Sequence, residues 1–202
     1  MLPMQVYLDE QPVELPGSHL AALLDAARKR LDGARVVVEV AVDGDKLNEQ
    51  EITDRAEEKL GDVDVRLVTA DPRELAIETL EQVRGRLGDA QELQQDAADL
   101  LQQDQTPPAL QKVGQSVEAW LQVQQAVLQS AVLLNLDLDR IDVDGRPAHE
   151  LTSQAVEQLG DVKTFIQAND TVALADALQY EWPETTAQWH RLIDALVAQI
   201  KA

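Results

Sequence analysis

The run Val68-Thr69-Ala70-Asp71-Pro72-Arg73-Glu74 divides the chain into two kinds of pattern. Before it, apolar residues recur at every second position in short stretches; after it they recur at steps of three and four. Asp71 is placed to cap a helix, Pro72 to take the first helical position, where a missing N–H costs nothing, and Glu74 to close a capping box. A strand therefore ends and a helix begins here. The reading is an α+β chain: a small αβ domain over residues 1–71, then an all-α domain over residues 72–202.

Working back from this run, Val63, Val65 and Leu67 alternate with Asp62, Asp64 and Arg66. Val36, Val38, Val40 and Val42 mark the clearest strand, with all four on one face and Asp43-Gly44 as its turn. Met4, Val6 and Leu8 start a hairpin whose turn is Asp9-Glu10-Gln11-Pro12 and whose return carries Val13 and Leu15. Ser18 caps a helix bearing Leu20, Leu23, Leu24, Ala27 and Leu31, and Gly33 stops it. Asn48 and Glu51 form a second capping box, for a short helix through Leu60. The order is strand, strand, helix, strand, short strand, short helix, strand.

That element order resembles the β-grasp, or ubiquitin-like, fold. The resemblance covers roughly the first third of the chain. Ubiquitin-like modifiers and the related sulfur carriers end in Gly-Gly just past the last strand. Here Val68-Thr69-Ala70-Asp71-Pro72 runs into a helix, and the sequence closes on Gln199-Ile200-Lys201-Ala202. The resemblance thus implies a protein-binding or oligomerisation surface rather than conjugation through a terminal glycine.

Working forward, Ala76, Leu80, Val83, Leu87, Ala90, Gln94, Ala97 and Leu101 form a heptad seam. Gly85 and Gly88 interrupt it, which predicts a bend or a close approach. Thr106-Pro107-Pro108 predicts a turn, and Leu110, Val113, Val117, Trp120, Gln124, Val127, Ala131 and Leu134 form a second seam. Two long helices with so short a connection fold back as an antiparallel hairpin. Most of its many glutamines read as a solvated helix surface. Gln94 and Gln124 differ: they sit inside the seams, where a polar residue sets register or partner number, and both are candidate interaction residues.

The helical pattern breaks at Leu136–Pro147, then returns as a helix from His149 to Ala168, a short one begun by Asn169-Asp170, and a last one opened by Pro183. In the break, Asp137, Asp139, Asp142 and Asp144 are the candidate ligands for a hard cation. The EF-hand template rejects them. With Gly145 at the sixth loop position, the first is Arg140 and the twelfth is Leu151. The plainer reading is an alternating edge segment whose aspartates face water. His19, His149 and His190 stand far apart on different helices and make no HExxH pair. Aromatic residues are scarce, and Tyr180, Trp182 and Trp189 fall close together. They either pack the joint between the last helices or form a partner surface. The acid-rich segment together with the run Leu174 to Trp182 makes the whole chain resemble uncharacterised bacterial proteins, which implies no activity.

Composition excludes more than it assigns. The chain has no cysteine, which removes disulfides, thiolate metal sites and thiol nucleophiles. A formal charge of −20 opposes phosphate backbones and anionic lipid. There is no basic leader, no membrane-length apolar run, no GxSxG, no P-loop and no GxGxxG. The expectation is a cytoplasmic, non-enzymatic protein–protein interaction or oligomerisation protein, most simply a homodimer, with no cofactor. Two alternatives stand beside it: a small-ligand protein or enzyme with a pocket between the two domains, and an acidic nucleic-acid mimic.

Overall fold

The computed structural model describes residues 4–202, so the first three residues of the stretch read for a leader lie outside it. The chain is α+β and divides into two compact units, one ending at Leu75 and one spanning Ala76–Ala202.

The first unit is a five-stranded mixed sheet with one main helix. Its elements are β1 (Gln5–Leu8), β2 (Gln11–Val13), α1 (Leu20–Leu31), β3 (Val36–Val42), β4 (Asp45–Lys46), α2 (Glu49–Asp54) and β5 (Asp64–Ala70). The strand order is β2-β1-β5-β3-β4. β1 runs parallel to β5 and antiparallel to β2, while β3 runs antiparallel to both β5 and β4. Leu20, Leu23 and Ala27 of α1 pack on Val6, Val40, Val42, Val65 and Leu67 of the sheet.

Local chemistry accounts for most of these boundaries. Asp43-Gly44 joins β3 to β4 with both residues at positive φ, 51° and 88°, the geometry whose twist matches a two-residue hairpin. Asp9-Glu10 turns β1 into β2 in the same way, at 48° and 63°, without a glycine. Long-range contacts hold that strained pair. The Asp9 carboxylate accepts from the Thr69 N–H at 2.7 Å and from its hydroxyl at 2.6 Å. Glu10 pairs with Arg66 at 2.7 Å, and Arg66 lies 4.9 Å over the Tyr7 ring.

Three expectations in this unit are corrected. The helix cap is His19, whose Nδ1 accepts from the Ala22 N–H, because the Ser18 carbonyl is turned to accept from Leu60. The Asn48–Glu51 capping box is present, but α2 ends at Asp54 rather than reaching Leu60. Val36, Val38, Val40 and Val42 of β3 do not share one face. A register shift between Val37 and Glu39 leaves Val38 47% exposed and turns Val37 toward the core with Val40 and Val42.

The second unit contains α3 (Pro72–Gln102, which starts at the end of the first unit), α4 (Thr106–Leu133), the strand pair β6 (Asp142–Val143) and β7 (Arg146–Pro147), α5 (Ala148–Ala168), α6 (Thr171–Asp176) and α7 (Trp182–Lys201). Asp71 caps α3 as its sequence requires, accepting from the Arg73 N–H at 2.7 Å. Gly85 and Gly88 neither end this helix nor let a neighbour close in: a Cβ at either meets nothing within 4 Å. The α3–α4 turn lies at Gln103–Gln105, and Pro107 and Pro108 sit in the first turn of α4, where no N–H is needed. Across the hairpin, Lys112 meets Asp96 at 2.7 Å.

The all-α expectation needs one amendment. Asp144-Gly145, at φ 56° and 81°, repeats the Asp43-Gly44 turn and makes β6–β7 a two-stranded hairpin. Its Ile141 and Val143 are buried in the helical core. The last helix also starts differently from expectation. α6 runs into a π-helical turn, Ala177–Glu181, and that turn leads straight into α7 at Trp182, one residue before Pro183.

Candidate interaction surface

The aromatic group separates in the structure. Trp182 and Trp189 are buried against Trp120 of α4, at centroid distances of 4.9 Å and 5.3 Å from it. They join α4 to α7 as core and present no surface to a partner, which corrects their assignment as interaction residues. Tyr180, on the π-helical turn, is 68% exposed and stands apart from them.

The two seam glutamines also part. Gln94 of α3 is buried, and its Oε1 has no hydrogen-bond partner among the described residues. Gln124 of α4 is half-buried with its Nε2 unpartnered among the described residues, beside a cavity of about 140 Å³ that Leu128, Val156 and Trp189 also line. The Asp96–Lys112 pair sets the hairpin register. It places Gln94 opposite residue 114 or so, about 15 Å along α4 from Gln124 at 1.5 Å per residue. They do not meet.

The four aspartates do not converge. Asp137 meets Arg140 at 3.2 Å, Asp139 meets His149 at 2.8 Å, and Asp144 meets Arg191 at 2.5 Å. Asp142 accepts from the Gly145 N–H and braces the hairpin turn. Among the described residues, no three acidic or histidine side chains form a metal-holding group. Of the remaining histidines, His19 caps α1, and His190 is half-buried on α7. Burial first, then the nearby Arg84, holds its pKa below the ordinary histidine value, with Asp194 opposing them.

What the sequence reading missed is the outer face of α4. The helix buries Val113, Ser116, Trp120, Val123, Val127 and Ala131 on one side. On the opposite side Leu121, Leu128 and Val132 are 52%, 47% and 82% exposed. Their spacings of seven and four residues put them within about 40° of one another at 100° per residue. Across the small cavity from Leu128, Val156 of α5 adds to the patch, 60% exposed. Lys112 and Glu118 are the only charged residues in the 28 residues of α4, and they cancel. The spacing signal was in the sequence, but the stronger seam through Trp120 masked it.

No described helix is long and apolar enough to cross a membrane. A family model described as a domain of unknown function (DUF8042) matches residues 78–192. No curated protein and no solved structure matches the chain.

Proposed function

We propose that the helices of this chain, which belongs to the DUF8042 family through residues 78–192, form a non-enzymatic self-association module that pairs two copies into a two-fold homodimer. One observation carries the reading: α4 shows solvent an apolar stripe, Leu121, Leu128 and Val132, on a helix of zero net charge within a chain of −20. Two such chains repel wherever their acidic faces meet. They can approach only where charge is depleted, and depletion of charge is what marks the buried centre of a protein interface. Exposed apolar residues in one contiguous patch are also the usual mark of a partner surface. A two-fold axis lets the same stripe serve on both copies.

The first unit is a small mixed sheet with one main helix packed on it. Its mixed sheet, its packed helix and its element order support the β-grasp reading, which we carry as a proposal, as we do a cytoplasmic setting. The test is to place a charge in the stripe. Leu128→Glu with Val132→Glu, both on exposed positions, leaves the helical circular dichroism unchanged and converts a sedimenting dimer to monomer. A dimer that survives both changes refutes the assignment of this face.

A further inference from the structure

Toward the other end of α4 lies a groove of about 590 Å³ between α4 and α5, with no residue of the outer stripe in its lining. Val113 and Val162 line its buried floor, with Val117 and Leu159 along its walls. Its volume falls in the range of small-molecule sites, and its lining is apolar almost throughout. Two features of its lining bear on what it could hold.

The first is Gly114. A glycine in mid-helix is unfavourable relative to alanine, so it needs a reason. At Gly114 a Cβ meets nothing within 4 Å, so no packed neighbour demands its absence. The glycine faces the groove, and any side chain there occupies the groove's own space.

The second is Lys163, the one charged side chain on the lining. Its neighbours one turn away on α5 are Leu159, Gly160, Ile166 and Gln167, none of them acidic. Among the described residues its ammonium makes no ion pair. An unpaired cation beside an apolar channel, in a chain with more than twice as many acidic as basic residues, favours an occupant with an anionic head.

We propose that this groove binds an amphiphilic carboxylate. Its aliphatic body lies over Gly114 between Val117 and Leu159, its acid head meets Lys163 Nζ, and Gln167 supplies a neutral donor beside it. The apolar body provides most of the affinity. Lys163 provides selectivity for the acid over an uncharged analogue, because an exposed ion pair is weak.

The experiment titrates the full-length isotope-labelled chain with decanoate, and separately with 1-decanol, below their aggregation limits, reading amide shifts by NMR. The expected result is saturable shifts at Gly114, Lys163 and their groove neighbours, with decanoate the tighter ligand. Gly114→Leu fills the groove and abolishes binding of both. Gly114→Ala, which introduces only one methyl group, weakens binding while stabilising the fold, so loss of binding is separated from misfolding. Lys163→Gln weakens decanoate by roughly threefold and leaves decanol unchanged. Shifts scattered over the surface, undiminished binding to Gly114→Leu, or equal binding of acid and alcohol with no effect of Lys163→Gln would each overturn the proposal. Binding to the Leu128→Glu, Val132→Glu variant is expected to persist, which keeps this site distinct from the dimer face.

Discussion

Trp120 of α4 meets Trp189 of α7 edge to face, with ring centroids 5.3 Å apart and planes at 84°. Trp182 closes the cluster 4.9 Å from Trp120. All three are buried, and edge-on aromatic packing adds to the area they remove from water.

The first prediction follows from that burial. Trp120→Ala and Trp189→Ala each destabilise the helical unit by about 3–5 kcal/mol in urea unfolding. Tyr180→Ala, on an exposed side chain two residues before Trp182, changes stability by less than about 0.5 kcal/mol. A loss at Tyr180 as large as that at Trp120 would mean the π-helical turn is packed rather than open.

A second prediction concerns pH and the strained Asp9-Glu10 turn. Hydrogen bonds from the Thr69 hydroxyl and N–H, ahead of the Arg35 charge, hold the Asp9 carboxyl below its usual pKa. A folded pKa depressed below the unfolded one contributes stability above about pH 3.9, lost as pH falls through the folded value. Asp9→Asn keeps the tolerance for positive φ and removes the charge. Allowing for the exposure of this carboxylate, it speeds opening at the Thr69 amide by about 1 kcal/mol near neutral pH. Hydrogen exchange should show the gap between variant and parent closing as the solution is acidified. A gap that is constant with pH would contradict the assignment.

Gln94 gives a third prediction. Its buried Oε1 lacks a partner among the described residues, so that oxygen is desolvated without compensation. Gln94→Leu, of similar volume, stabilises the helical unit by about 1 kcal/mol in urea unfolding. Destabilisation instead would show that the amide is engaged, as a register-setting polar seam residue is.

These residues also show which parts of the chain its sequence made readable. Element type and order followed from local signals: Asp71-Pro72 starts α3 and the Asn48–Glu51 box starts α2. The Asp43-Gly44 turn closes the β3–β4 hairpin, whereas the matching Asp144-Gly145 pair closes β6–β7 inside a domain expected to be all-α. What misled were positions decided by distant partners. Val38 alternates perfectly with Val40 along the chain, but the pairing of β3 with β5 slips beside it and turns it out. Ser18 is a better local cap than His19, but its carbonyl is taken up by Leu60. At the candidate site, clustering of Tyr180, Trp182 and Trp189 in sequence concealed that Trp120, more than sixty residues earlier, completes the core with two of them. The stripe Leu121, Leu128, Val132 obeys the same periodicity as the inner seam, and only burial tells the two apart.

A fourth prediction bears on Asp137, Asp139, Asp142 and Asp144. Each already serves an arginine, a histidine or a backbone N–H. Millimolar calcium is therefore expected to leave the thermal unfolding midpoint unchanged. A rise of several degrees would show that the segment rearranges to gather its carboxylates, by the linkage of ligand binding to stability.

Pairing through an uncharged face of α4 in a chain of −20 has a signature that few alternatives share. Added salt screens the repulsion between the two copies and leaves the apolar contact intact. Sedimentation equilibrium of the full chain over a range of concentrations, at low and at high salt, reads this directly. The predicted result is a mass that rises from 22.3 kDa toward twice that value with concentration, with tighter pairing at high salt. A mass fixed at the monomer value under every condition, or a dimer that dissociates as salt is added, would contradict it.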